Sequence, residues 1–186
     1  VLSIDSTVAC ASCPLPEVAF SDDERFSEGV AGRTGRNSMP TVNLLWAERF
    51  FWDGRAPSLE AQALQPVADP VEMGENWDNV VQKLGRHPEY PALFEQAFGA
   101  GPITKEKAAR AIAQFERTLL SYGSRFDRFV AGEIELSPLE REGFTLFNSE
   151  RSDCFHCHGS FLATDNLFHN NGLDLVPADS GLAAVS

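Results

Sequence analysis

The chain has 186 residues, 43% of them hydrophobic, four cysteines and a formal net charge of -12. That composition excludes a disordered chain and leaves material for one ample core or two small ones. The acidic balance excludes nucleic acid as a partner, because phosphate binding needs a basic face, and no run reaches the roughly 20 apolar residues that a membrane span requires.

No leader peptide is visible. The sequence opens at Val1 rather than Met and closes on a loop-like stretch, Asp174 to Ser186, so it reads as a trimmed product. Residues 1–45 hold the first cysteine pair and then a Gly/Arg/Asn stretch, Gly29 to Met39, which reads as an extended loop. A short helix is expected over Ser58–Gln65 with Ser58 as its N-cap. From Asn76 the pattern turns helical, with Val80, Val81 and Leu84 on one side and Gly85 as the stop. Pro88 opens the next helix, which should bury Tyr90, Leu93, Phe94 and Phe98 and end at Gly99. Thr104 caps a longer helix whose Ala108, Ile112, Phe115 and Leu119 fall on one face at 3,4 spacing, with Gly123 ending or bending it. Ser137-Pro138-Leu139-Glu140 is a helix start with both a capping box and proline at the first helical position. No segment reads convincingly as a strand, so the class is all-α. A boundary near Gly132 divides residues 1–132 from 133–186.

The four cysteines fall in two C-x-x-C pairs, Cys10/Cys13 and Cys154/Cys157, a usage that points to metal or haem attachment rather than a disulfide framework. The second pair reads Cys154-Phe155-His156-Cys157-His158. Two thiols at that spacing can each add to one vinyl group of a haem, and the adjacent His can then bond the iron. A zinc site drawing on Cys154, Cys157 and one of His156, His158 or His169 is the competing reading, and chance is another. The first pair reads Cys10-Ala11-Ser12-Cys13-Pro14. Proline has no side-chain nitrogen, so this pair is half a haem motif or a disulfide or thiol pair.

Taken in order, several segments resemble the bacterial di-haem cytochrome c peroxidase family, which includes MauG-like oxidases. They are Cys10–Cys13 with Phe20-Ser21-Asp22, Arg36-Asn37-Ser38-Met39-Pro40-Thr41, Phe51-Trp52-Asp53-Gly54-Arg55, Pro70-Val71-Glu72-Met73-Gly74, Phe115-Glu116-Arg117-Thr118 and the second C-x-x-C-H. The resemblance implies two cytochrome c-like haem domains: a peroxidatic one over 1–132, and the start of an electron-transfer domain over 133–186, the second incomplete. It implies hydrogen peroxide as substrate and a small cytochrome c or copper protein as electron donor. By the same resemblance Glu72 is the acid–base residue, Gln62 helps place the peroxide and Trp52 relays electrons between haems. Asn37 helps hold a calcium ion, Cys10, Cys13, Cys154 and Cys157 carry haem c, and His158 is an axial iron ligand. His169 takes a hydrogen-bonding role and His87 lies on the surface. Family members are often homodimers, and haem attachment of this kind places the protein in the periplasm.

Three departures from the family pattern bear on function. Pro14 stands where an axial His is expected, so the first haem lacks its usual ligand, has a substitute, or is absent. The Gly29–Gly35 loop has no His, which implies an open peroxide face. Met39 and Met73, the two methionines, both precede the second motif, so neither serves as a sixth ligand there. Weak or no peroxidase turnover is the expectation for the chain as it stands. The alternatives are a haem c electron-transfer or binding module without peroxidase activity, and a MauG-like oxidase of a protein substrate.

Overall fold

The computed structural model describes residues 2–9 and 20–185. The first cysteine pair and Pro14 lie outside the described residues. The chain divides into two compact units, Val1–Leu120 together with Asp179–Ser186, and Ser121–Ala178. Gly132, in a left-handed conformation, falls inside the second unit.

The first unit begins with a two-residue antiparallel pair, β1 (Glu28–Gly29) and β2 (Gly32–Arg33), inside the stretch read as an extended loop. Its helices are α1 (Leu59–Ala68), α2 (Trp77–Arg86), α3 (Tyr90–Phe98) and α4 (Lys105–Glu116). The second unit holds α5 (Arg125–Val130) and α6 (Pro138–Phe147), followed by a single 3-10 turn over Cys154–His156. Among the described residues no helix is long and apolar enough to cross a membrane.

The helix starts follow their caps. Ser58, Asn76, Thr104 and Ser137 each accept a backbone N–H from the first turn of the helix that follows. Ser137 and Glu140 form the expected reciprocal capping box, with Ser137 N–H donating to Glu140 Oε2 at 2.7 Å. The helix ends hold more corrections. α1 runs three residues beyond Gln65, through Pro66, to Ala68. Gly85 does not stop α2, which continues to Arg86. The stop is His87, extended at ψ 139°, because the residue before Pro88 is sterically barred from the helical region.

Two apolar clusters fill the first unit. Leu44, Phe50, Ala56, Leu59 and Ala113 form one; Val67, Met73, Val80, Leu84 and Ala108 form the other. α1 packs along α4, and α4 meets it with alanines: Ala108, Ala109 and Ala113 are buried. The face expected from Ile112, Phe115 and Leu119 is therefore not the buried one. Phe115 is largely exposed, and α4 ends at Glu116, before Leu119. Small side chains let two helices approach closely, and that contact decides the orientation. α3 likewise buries none of its residues fully. Phe94 packs against the second cluster, while Tyr90 and Leu93 stay exposed. Met73 is buried and Met39 packs against the first cluster, so both methionines belong to the first unit.

Candidate functional site

Glu72 sits on the turn between α1 and α2, and the turn is held from three sides. Asp69, the C-cap of α1, accepts the N–H groups of Val71 and Glu72 on Oδ1 at 2.8 and 3.2 Å. Such a side-chain-to-backbone bond is what Asp supplies in a turn, and Asp69-Pro70 is its signature in the sequence. Met73 anchors the far side in the second apolar cluster. Across the turn, Val30 N–H donates to Glu72 O at 2.9 Å and Ala31 N–H to Val71 O at 3.2 Å. Gly29 permits this approach, since a methyl group placed there would lie 2.0 Å from Val71 O.

The Glu72 side chain is half-buried and makes no hydrogen bond among the described residues. Burial raises its pKa above the usual carboxylate value, Asp69's negative charge adds to the rise, and Arg55 opposes it. A carboxyl without a hydrogen bond among the described residues and with raised proton affinity is suited to take and return a proton. Gln62 lies half-buried early in α1. No hydrogen bond joins Gln62, Trp52 and Glu72 to one another; the shared frame is α1 and the turns at its two ends.

Trp52 is 54% exposed, and its indole N–H donates to Asn37 O at 2.9 Å. Asn37 spends its amide N–H₂ on two carbonyls, Asp22 O at 3.1 Å and Glu24 O at 2.5 Å, which fixes its side chain in the loop and leaves Oδ1 without a hydrogen bond among the described residues. The flanking Asp53 is buried and takes Arg36 Nη1 on Oδ2 at 2.5 Å and Arg55 Nη1 on both oxygens at 2.9 Å. Burial works to raise the Asp53 pKa, and the two guanidinium groups outweigh it and hold the carboxylate ionised. Arg55 also donates to Gln65 Oε1 and lies 3.5 Å over the Phe51 ring. The sequence pattern gave roles to Trp52 and Glu72 but none to Asp53 or Arg55. The signal available was the alternation of charges in Trp-Asp-Gly-Arg.

In the second unit, α6 delivers the chain to the C-x-x-C-H motif. The 3-10 turn over Cys154–His156 and the bond from His158 N–H to Cys154 O at 2.9 Å curl the motif on itself. Both cysteines are free thiols, partly buried. His158 Nδ1 lies 3.0 Å from Ala163 O, an arrangement that puts the proton on Nδ1 and leaves Nε2 as the ligand atom. Gly159 follows because a Cβ there would meet Phe155 O at 2.9 Å. Asp153, Ser160, Ala163 and Asn166 all adopt left-handed backbone around the motif, a concentration of strain of the kind found at functional sites. Apolar side chains stand unburied on the same unit, among them Phe126, Phe144, Phe147 and Phe168. Two thiols, one oriented imidazole and an apolar surround fit a thioether-linked haem. The zinc set built on both cysteines is not assembled. Among the described residues Cys157 converges with Asp165 and His169, without Cys154. His169 Nε2 donates to Asp165 Oδ2 at 2.7 Å, and His87 is exposed.

Comparison with known proteins fits this arrangement. A family model described as di-haem cytochrome c peroxidase matches residues 1–135. A methylamine utilization protein MauG from Methylophilus methylotrophus is 37% identical over 92% of this chain and 52% of its own length. The cytochrome c peroxidase Ccp of Escherichia coli K12 is 35% identical over 92% of this chain and 37% of its own. The crystal structure of a MauG-like protein associated with microbial copper homeostasis aligns with a TM-score of 0.91 at 32% identity, covering all of this chain and 61% of that one. The chain thus spans roughly a third to a half of the curated relatives named here. With its helical fold, its C-x-x-C-H turn and these matches, the chain belongs to the di-haem cytochrome c peroxidase family, whose members are haem c oxidoreductases.

Proposed function

We propose that the protein this chain represents reduces hydrogen peroxide to water, with two electrons from a small cytochrome c or copper protein and two protons. The observation that carries this reading is the Glu72 carboxyl: half-buried, without a hydrogen bond among the described residues, raised in proton affinity, and mounted on a turn fastened by Asp69, Val30 and Ala31. Haem c would be held at Cys154 and Cys157 with His158 as an iron ligand, and a second haem at Cys10 and Cys13, and would supply the redox chemistry. Glu72 takes a proton from one peroxide oxygen and returns it to the departing one, and the Gln62 amide orients the substrate by hydrogen bonding. Trp52 relays electrons between the haems. The free Oδ1 of Asn37 is the atom that would face calcium. Thioether attachment of haem places the protein in the periplasm.

Pro14 would lower the activity of the polypeptide as it stands, since it offers no nitrogen to a haem held at Cys10 and Cys13. Pro14→His is expected to raise steady-state turnover with a reduced donor, and Glu72→Gln in that background to lower it about 100-fold. Undiminished turnover in the Glu72→Gln variant would refute the assignment.

Pro14 also favours a second reading, a haem c electron-transfer or binding module in which only the second site is loaded. A pyridine haemochrome assay with intact mass separates them: two covalent haems per chain support the peroxidase, one supports the module. The MauG relative keeps a third reading open, an oxidase of a protein substrate, which predicts oxidation of a protein at the expense of peroxide without a reduced donor.

A further inference from the structure

After leaving the first unit for residues 121–178, the chain returns to it at Asp179. The returning segment is fastened by one ion pair of high geometric definition: Arg36 Nε to Asp179 Oδ2 at 2.5 Å and Arg36 Nη2 to Asp179 Oδ1 at 2.6 Å. Two-point contact between a planar guanidinium and a carboxylate fixes direction as well as distance. The third guanidinium nitrogen, Nη1, reaches Asp53 at 2.5 Å, and Asp53 is the residue after Trp52. The residue after Arg36 is Asn37, whose carbonyl oxygen receives the Trp52 indole N–H at 2.9 Å. Arg36 therefore holds Trp52 from both directions, by its side chain through Asp53 and by its own peptide neighbour through Asn37.

Packing alone does not hold this indole, because 54% of the residue is exposed and the ring has room to turn. We infer that Arg36 and Asp179 are positioning residues for Trp52, so that the returning segment sets the orientation of the indole. Its functional meaning rests on the electron-relay reading of Trp52 given above; the geometric claim does not. With Asp179 gone, Arg36 keeps its charge and Asp53 its partner, but the guanidinium plane is no longer aligned from outside, and the Asn37 carbonyl beside it loses that restraint.

The test uses the full haem-loaded chain. Ultraviolet resonance Raman spectra report the indole N–H hydrogen bond, and subtracting the Trp52→Phe spectrum isolates Trp52 from Trp46 and Trp77. Asp179→Asn and Arg36→Gln should each shift the Trp52 band to the position of a non-bonded N–H, and Asp179→Glu should restore it. Arg117→Gln, which breaks the Glu60–Arg117 pair in the same unit, should leave the band in place, separating alignment from general loosening. Asp179 is half-exposed, so its Asn variant tests the claim even where Arg36→Gln fails to fold. An unshifted band in Asp179→Asn overturns the inference. A Trp52→Phe variant with unchanged electron transfer between the haems overturns the relay reading and leaves the clamp standing.

Discussion

In the first unit Leu59, Val67 and Val80 are at most 1% exposed, whereas Phe126, Phe144 and Phe147 of the second each keep 37% or more of their surface in contact with water. None of residues 121–178 is buried. The second unit is instead laid out by local devices: the capping boxes of Ser124 and Ser137, the ion pairs Arg125–Glu140 and Arg128–Glu133, and an aromatic contact of Phe126, Phe129 and Phe144. Exposed ion pairs add little to stability and caps about 1 kcal/mol each. One unit therefore owes its stability to burial, and the other has its caps together with whatever the haem proposed for its two thiols would add.

The largest effect that would break this contrast comes from removing the two thiols proposed to carry haem. A Cys154→Ser/Cys157→Ser variant should leave α1 and α4 protected, while the amides of α5 and α6 exchange at least about 100-fold faster by hydrogen-exchange mass spectrometry. Equal protection of α5 and α6 with and without the thiols would show that the second unit stands unaided. Next, Leu59→Ala should destabilise the first unit by about 3 kcal/mol in denaturant titration, against less than about 1 kcal/mol for the exposed Leu146→Ala. Comparable losses would erase the distinction.

A smaller effect sharpens it, because burial in the first unit also has a cost. Glu116 has an oxygen, Oε2, buried without a hydrogen-bond partner among the described residues, and burial pushes its pKa from the ordinary 4.5 up to about 7. Arg117 opposes that rise and Glu60 adds to it. The folded state thus keeps a proton that the unfolded state has released, so stability falls as pH rises from 4.5 to about 7 and stays lower above that. Glu116→Gln should therefore raise stability by about 2 kcal/mol at pH 8 and change it little at pH 4. A thermal melt at the two pH values reads the difference.

What the sequence made legible were features encoded within four residues. Ser58, Asn76, Thr104 and Ser137 announce helix starts because a cap acts on the turn that follows it. The same logic would have found α5, where Ser124 and Asp127 form a capping box that went unread beside Gly123. The burial of α4 was illegible for the opposite reason. Periodicity marks several possible faces, and only the approach of α1 selects the one carrying Ala108, Ala109 and Ala113. The candidate site divides in the same way. Glu72, Trp52 and His158 sit in short recognisable strings. The partners of Arg36 are 17 and 143 residues away along the chain, a separation no local pattern reports.

The close approach of Gly29 to the turn at 71–72 has a consequence for how such a protein can vary. Glycines 35, 85 and 143 have open space where a side chain would begin, so those sites can drift. At 29 a single methyl group would collide with the carbonyl of Val71, displacing the Glu72 carboxyl more than forty positions further along the polypeptide. Mutational tolerance across the β1 loop is thus governed by a neighbour the loop never meets in linear order, and a designer recasting the surroundings of Glu72 inherits that constraint.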